Sequence, residues 1–212
     1  MSAKSVTMKA LITDAIRNAI IEGKLKPGQQ LQQDKIAAAL GASTIPVREA
    51  LATLEEERHI VYHRNRGAFV SEIDAEKARE AYEIRFFLES GALSLSLPNI
   101  QPLDLDAAES LMNQEADANN AIEKVRLDLA FHLALCKPCG RDHLMGLIEQ
   151  IHGHVARYVN LSIYLMDFKR HTKYNHATIF EACRKRDVAA ATEVLKNHFR
   201  VATEIICAKF ET

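Results

Sequence analysis

One short segment interrupts a chain whose apolar residues otherwise recur at helical spacing. Residues 59–73, HIVYHRNRGAFVSEI, hold two β-like runs, IVYH and AFVSEI. The tetrapeptide RNRG between them is typical of a tight hairpin, since Gly67 can adopt a positive φ. Helical periodicity precedes this hairpin in three segments and then resumes. The order predicts two domains, residues 1–73 and residues 74–212, joined by almost no linker.

The periodicity before the hairpin predicts three helices. The first spans about 8–23, the second spans about 32–40 and stops at Gly41, and the third begins at Ser43 or Thr44. The second and third helices are separated only by the residues GAS. Three helices with this short turn, followed by a β-hairpin, are typical of a winged helix-turn-helix.

A winged helix-turn-helix places the N-terminal end of its third helix in the major groove of DNA. Arg48 at that end can contact guanine or a phosphate, and the hairpin tip carries two more arginines beside a glycine. As an alternative, the hairpin arginines form a solvated turn and Arg48 pairs with a neighbouring glutamate. The candidate DNA-contacting residues are Lys35, Ser43, Thr44, Arg48, Arg64, Arg66 and Gly67.

The segment PGQQLQQDKIAAALGASTIPVREALATLEEERHIVYHRNRGAFV resembles the DNA-binding domain of the GntR family of bacterial transcription regulators. The runs PVREAL (46–51) and NRGAFV (65–70) are highly specific for it, and the resemblance covers roughly residues 8–72. The family commonly has an arginine where Thr44 stands and a threonine where Ile45 stands. This departure removes a base or phosphate contact that relatives have, so their operator sequences do not carry over to this chain.

Helical periodicity continues from Asp74, a predicted N-cap, through the rest of the chain. It predicts helices near 75–97, 103–119, 121–137, 141–165, 168–185 and 187–209. No apolar run approaches the length of a membrane span, and the first ten residues lack the apolar stretch of a signal peptide. We therefore expect a cytoplasmic protein that does not enter a membrane.

Four polar residues of this helical region have related positions. Asp128 and His132 lie four residues apart in the apolar segment VRLDLAFHLA and so share one helix face. His176 and His198 are equidistant from residue 187, the predicted turn between the last two helices, and therefore lie at one level of an antiparallel helix pair. One carboxylate and three imidazoles can ligate a divalent ion, and Zn, Ni, Mn and Fe all accept them.

Separate histidines with local partners are the alternative to a metal site. The chain has nine histidines, and most of them must lie on the surface or in a satisfied core. His152 and His154 diverge on a helix because they are two residues apart, and we interpret them as structural. The motif CKPC, residues 136–139, has no second CxxC motif, and we interpret it as a helix end with incidental thiols.

Residues of about 75–209 resemble the FCD class of GntR effector domains, named for the C-terminal domain of the fatty-acid regulator. In that class a DxxFH helix motif and two later helical histidines commonly bind a metal. This chain matches the motif at Asp128, Phe131 and His132 and then has the two later histidines. The class often recognises a small organic acid through the metal, so the resemblance implies such an effector here.

An acidic effector also needs a cation beside the metal. The segment AYEIRFFLES places Tyr82, Arg85 and Glu89 near one helix face, and Arg85 matches an arginine often found at this place in the class. Arg85 is therefore the first candidate to contact the carboxylate, and Arg157 is a weaker one. The alternative for Arg85 is a structural pair with Glu89, which lies at the i, i+4 position.

The sequence thus predicts a mainly α protein, in which a winged helix-turn-helix precedes an all-α effector domain of six or seven helices. The expected function is transcription regulation by a homodimer on operator DNA, since one winged helix covers only a half-site. The formal net charge of -1 identifies no partner. Two alternatives stay open: a metal-dependent hydrolase or other enzyme, and a regulator whose metal is purely structural. The enzyme is less favoured because no general base is evident beyond the ligands.

Overall fold

The computed structural model of the chain describes residues 7–165 and 168–210, without the side chains at positions 121, 162–165 and 168–175. The chain separates into two units, Met1–Ile73 and Asp74–Thr212. The first combines helices with a small sheet, and every long element of the second is a helix. This architecture confirms the predicted fold class. No described helix is long and apolar enough to cross a membrane.

The elements of the first unit alternate between helices and very short strands. They are α1 (Met8–Ile21), β1 (Gln30–Leu31), α2 (Gln33–Leu40), α3 (Thr44–Glu56), β2 (Ile60–His63) and β3 (Gly67–Val70). Gly41 ends α2 in the left-handed region with φ 61°, and Ser43 is the N-cap of α3. The turn between the two helices is therefore as short as the sequence predicts.

The three strands form one antiparallel sheet in the order β1-β3-β2. The hairpin pairs Ile60 with Val70, and β1 pairs Gln30 with Phe69 on the other side of β3. Two details differ from the sequence-based expectation. β3 ends at Val70 although the β-like run continues to residue 73, and β1 was not expected because its two residues carry no periodicity.

A single apolar core holds the first unit together. The stripe predicted on α3, which begins with Val47 and ends with Leu54, is completely buried and packs against α1 and β2. The core consists of Ile12, Ile16, Ile20, Leu31, Ala37, Val47, Ala50, Leu51, Leu54, Ile60, Ala68 and Val70. Because the buried face of α3 points inward, its opposite face is left open to solvent.

The described part of the second unit consists of six helices and one short 3₁₀ turn. They are α4 (Ala75–Ser96), α5 (Pro102–Asp117), α6 (Ala121–Cys136), the 3₁₀ turn Lys137–Cys139, α7 (Asp142–Leu165), α8 (Phe168–Arg184) and α9 (Val188–Ala208). Asp74 caps α4 by accepting hydrogen bonds from the backbone N–H groups of Glu76 and Lys77. All four cysteines are free and buried.

The packing of these helices brings the middle of the chain and its C-terminal part together. α4 packs against α6, α7 and α9, while α5 packs against α6 and α8. α8 and α9 form a hairpin whose turn contains Arg186, at φ 56°, and Asp187, the N-cap of α9. The polar residues of α4, α5, α6, α8 and α9 can therefore meet inside the bundle.

Candidate functional site

Four polar side chains meet in the interior of the helical unit. Asp128 and His132 of α6, His176 of α8 and His198 of α9 each offer one ligand atom, and these atoms all lie within 4.8 Å of one another. Their residues are 4%, 2%, 1% and 8% exposed, respectively. We call these four residues the His/Asp cluster. The structure thus brings together all four residues that the spacing arguments selected.

Two carboxylates lie behind the histidines of the cluster. Nδ1 of His176 is hydrogen-bonded to Oε2 of Glu115 at 2.7 Å, and Nδ1 of His132 lies 2.8 Å from Oε2 of Glu89. Metal-binding imidazoles are commonly oriented in this way, with a carboxylate on the nitrogen that does not face the ion. Glu115 on α5 was not expected from the sequence, and Glu89 was considered only as a partner of Arg85.

Several buried polar atoms of the cluster form no hydrogen bond among the described residues. Nε2 of His132, Nε2 of His176, Nδ1 of His198 and Oδ2 of Asp128 are buried without a hydrogen-bond partner in the part of the chain that the structure describes. Nε2 of His176 also lies 3.3 Å from Oδ1 of Asp128. Buried polar atoms almost always have partners, so several orphaned ones around one point fit a divalent cation.

The electrostatics of the cluster differ from one histidine to the next. Burial would lower the pKa of His176, but Glu115 and Asp128 raise it to about 9. Burial lowers the pKa of His132 to about 4, and burial together with His176 lowers the pKa of His198 well below its usual value. Burial would raise the pKa of Asp128, but His176 holds it far below the usual range. At neutral pH two neutral imidazoles and one carboxylate are thus ready to ligate a cation, which would replace the proton on the third imidazole.

Arg85 occupies the wall of the cluster. Its Nε donates a hydrogen bond of 2.7 Å to Oε1 of Glu89, as the structural alternative requires. Its second terminal nitrogen lies 3.6 Å from Oδ2 of Asp128 and has no hydrogen-bond partner among the described residues. The guanidinium carbon lies 4.4 Å from the centre of the Phe199 ring. Arg85 therefore forms a structural ion pair with Glu89, and one of its terminal N–H groups beside the cluster donates no hydrogen bond to a described residue.

The other two effector candidates lie in different surroundings. Tyr82 is buried, and its ring centre is 5.8 Å from that of Phe199. Arg157 is buried on α7, where it donates a hydrogen bond of 3.0 Å to the hydroxyl of Tyr158. His152, interpreted as structural, reaches Oε1 of Glu89 with its Nε2 at 2.6 Å and so belongs to the network behind His132.

An open groove runs beside the cluster, between α4 and α9. Its volume is about 870 Å³, and Tyr82 and Phe199 contribute to its walls together with Arg79 and Lys196. The ring of Phe199 stacks at 5.4 Å on that of His132. One aromatic side chain therefore contacts both the groove and the buried cluster.

The residues predicted to contact DNA are all exposed on the first unit. Thr44 and Arg48 lie at the N-terminal end of α3, and Lys35 lies on α2. Gly67, at φ 87°, completes the tight turn between β2 and β3 that carries Arg64 and Arg66. These groups are free of the core and available to a nucleic acid.

Fold and cluster together define a class of protein, in which a winged helix-turn-helix unit is followed by a helical bundle with an internal His/Asp cluster. Residues 9–70 match the family model described as bacterial regulatory proteins, gntR family. Residues 80–201 match the model of the FCD domain. The chain therefore belongs to the GntR family of bacterial regulators and carries an FCD domain.

Known relatives agree with this assignment. A solved structure of a GntR family transcriptional regulator from Pseudomonas syringae pv. tomato str. DC3000 has 30% sequence identity and a TM-score of 0.60, covering 96% of this chain and 86% of that chain. The transcriptional regulator YdhC of Bacillus subtilis is 28% identical, over 87% of this chain and 84% of its own length. The transcriptional repressor GlaR of Escherichia coli is 26% identical, over 90% of this chain and 92% of its own. The chain is thus an operator-binding transcription regulator rather than an enzyme.

Proposed function

We propose that this regulator senses a small organic acid through a divalent metal ion held by the His/Asp cluster, and that the acid changes its affinity for operator DNA. The observation that carries the proposal is the convergence of four buried ligand atoms within 4.8 Å of one another. Burying the ligand atoms of these groups that form no hydrogen bond would be costly, and a bound cation would remove that cost.

The residues of the cluster and the two carboxylates behind them would have different roles in holding the ion. Asp128, His132, His176 and His198 would ligate it, and Zn, Ni, Mn and Fe all accept this set. Glu115 orients His176, and Glu89 approaches His132. When bound, the ion supplies a fixed positive charge that can ligate a carboxylate.

The protein itself offers a second anchor for an acid. The terminal nitrogen of Arg85 that forms no hydrogen bond among the described residues can donate to a carboxylate oxygen, and such charge-assisted bonds are strong in a buried site. The groove between α4 and α9 is the route by which we propose the acid enters, since Tyr82 and Phe199 line it. Arg157, which is hydrogen-bonded to Tyr158, remains a weaker candidate.

On the DNA side, we assign α3 to the major groove and the β2–β3 hairpin to the adjacent backbone or minor groove. Arg48 would contact a base or phosphate, while Ser43 and Thr44 lie where the helix dipole favours a phosphate. Lys35 and the hairpin residues Arg64, Arg66 and Gly67 would complete the contact. Because the relative GlaR is a repressor, we propose repression as the output of this chain as well.

A homodimer is the form we propose to bind the operator, because one winged helix covers a half-site. α4 supplies a surface for it. Ile84, Phe87 and Leu95 are 41%, 70% and 41% exposed and recur at helical spacing on one face, with Gly91 between them. Such an apolar stripe on the exposed face of a helix is typical of a helix–helix interface, and glycine permits close approach.

Metal content of the purified protein tests the sensor proposal. Elemental mass spectrometry should find about one ion per chain in the wild type and a loss of that ion in His176→Ala, since the site then lacks one of its four ligands. His143→Ala, which removes an exposed histidine of α7, is the matched control and should keep the ion. A wild-type protein purified without any metal, and unable to take up Zn²⁺ or Ni²⁺, would contradict the proposal.

The purified wild-type protein also distinguishes a metal that takes part in sensing an acid from one that only stabilises the fold. Chelation should lower the melting temperature in either case, because the ion ties three helices together. Only a sensing metal lets a carboxylic acid alter DNA affinity, so a panel of mono- and dicarboxylic acids is added to metal-loaded protein in gel shifts. If the metal stabilises the protein but no acid changes its affinity for DNA, the alternative of a purely structural metal would be favoured.

A further inference from the structure

Among the described residues of the first unit, Ile45 is the most exposed large apolar one. It is the second residue of α3 and 58% of its surface is accessible to solvent. The core-facing stripe of the same helix, from Val47 to Leu54, lies on the other side and is fully buried. Ile45 therefore contributes little to the core and presents a branched hydrocarbon at the end of the helix that we assign to the major groove.

The neighbours of Ile45 on this face are polar. Thr44 and Arg48 are exposed beside it, and Arg48 follows it by one helical turn. In the major groove, guanine offers two acceptors suited to an arginine, whereas thymine offers a methyl group at C5. A hydrocarbon side chain has no donor or acceptor, so it can gain free energy only from an apolar part of a base edge.

We propose that Ile45 is a specificity-determining residue that selects thymine in each operator half-site through its C5 methyl group. The arrangement on α3 places this thymine next to the base or phosphate that Arg48 contacts, since the two side chains lie one turn apart on one face. Cytosine lacks the methyl group, and adenine and guanine present polar atoms in its place. The inference rests on the proposed docking of α3 in the major groove.

The experiment begins with the full-length, metal-loaded wild-type protein and a random duplex DNA library. Repeated selection yields a preferred sequence, in which we expect an invariant thymine. Replacing that thymine by deoxyuridine removes only the methyl group, and affinity should fall about fourfold for each methyl lost, the equivalent of one buried methylene-sized group. Deoxyuridine at unselected positions serves as the DNA control.

The protein variants are Ile45→Ala and, as a matched control, Leu11→Ala, which removes an apolar side chain that is 53% exposed on α1. Both variants should melt like the wild type because neither side chain is part of the core. Ile45→Ala should bind the thymine and deoxyuridine duplexes equally well, while Leu11→Ala should keep the wild-type preference.

The outcomes separate this inference from the proposal on which it rests. A selected sequence whose thymines can all be replaced by deoxyuridine without loss of affinity would overturn the role of Ile45 but leave operator binding intact. The role of Ile45 would also be overturned if Ile45→Ala lost as much affinity as the wild type when deoxyuridine replaces thymine. Failure of the wild-type protein to enrich any sequence would overturn the docking of α3 and the inference together.

Discussion

Glu115 shows that the geometry of the site depends on residues outside the His/Asp cluster. It lies on α5, is 4% exposed, and accepts a hydrogen bond from Nδ1 of His176. This bond fixes the ring so that its Nε2 faces the centre of the cluster. Burial raises the pKa of Glu115, although His176 opposes the rise. The carboxylate is tolerated in the interior because the protonated imidazole of His176 balances its negative charge.

Replacing Glu115 therefore tests the orientation of His176. In Glu115→Gln the side chain keeps its shape but loses its charge, so the basicity of the imidazole falls and metal affinity should drop about ten- to hundredfold. Competition with a chromogenic chelator measures the affinity. Glu109→Gln, on the exposed face of the same helix, should change nothing. Equal affinities of the two variants would show that Glu115 does not support the site.

Arg85 is expected to matter for stability before it matters for any ligand. It is 1% exposed and balances Glu89, whose pKa burial would raise but which Arg85 holds well below the usual value. In metal-free protein Arg85→Ala removes the guanidinium partner of the buried Glu89 carboxylate and should reduce the free energy of unfolding by roughly 3–5 kcal/mol.

Urea unfolding of the metal-free variants measures this effect of Arg85. Arg126→Ala breaks an exposed pair with Glu123, in which Arg126 is 57% exposed, and should cost no more than about 1 kcal/mol. Arg85→Lys keeps the charge and recovers part of the stability. If Arg85→Ala were as stable as Arg126→Ala, the ion pair would not be a structural element of the bundle.

At the level of elements, the turn between α2 and α3 depends on one backbone conformation. Gly41 ends α2 at φ 61°, and its N–H bonds back to the carbonyls of Ala37 and Ala38. A Cβ atom at this position would meet no neighbouring atom within 4 Å, so space for alanine is not the constraint. The constraint is the left-handed backbone itself, which disfavours every residue with a Cβ atom.

The same substitution should thus have opposite effects at two glycines. Gly41→Ala should lower the free energy of unfolding by about 1 kcal/mol because the left-handed conformation becomes strained. Gly146→Ala, in the exposed interior of α7 and also without a neighbour within 4 Å, should raise it by about 0.5–1 kcal/mol through helix propensity. Thermal or urea unfolding measures the change in the free energy of unfolding for each variant. Two changes of the same sign would contradict this account.

Helices were predictable from the sequence where an apolar stripe ran for several turns. Every predicted helix end lies within two residues of the observed end. β1 was not predictable, because its two residues become a strand only by pairing with β3. The four residues of the His/Asp cluster were predictable from spacing on one helix and from equal distances to the α8–α9 turn. Glu115 followed from neither, since it contacts His176 across 61 positions of sequence and sits on a largely polar helix.

At the scale of the whole molecule, the proposed homodimer would bring two copies of the chain to one operator. Two linked half-site contacts bind far more tightly than one, because the second contact forms without a further loss of translational freedom. The exposed apolar stripe of α4 is the surface that we expect to join the copies, with Phe87, 70% exposed, as its largest residue.

Phe87→Glu places a charge in that stripe and should convert the dimer to a monomer, since an interface does not tolerate an unpaired charge in its centre. Analytical ultracentrifugation measures the mass, and gel shifts should show operator affinity reduced by about tenfold or more. Leu103→Glu, at an 80% exposed position of α5, is the control and should remain dimeric. A dimeric Phe87→Glu protein would assign the interface to another surface.

The depth of the His/Asp cluster also has a consequence for the exchange of an ion held there. No residue of the cluster is more than 8% exposed, and the four residues belong to three different helices. A small acid can reach one side of such an ion through the groove, but a chelator removes the ion only by replacing all four side chains, and it cannot surround the ion until those helices separate. The rate of release should then be set by the opening of the protein and stop rising as more chelator is added. In a growing cell, such a regulator would keep the ion it acquired when it folded, however the supply of metal varied afterwards.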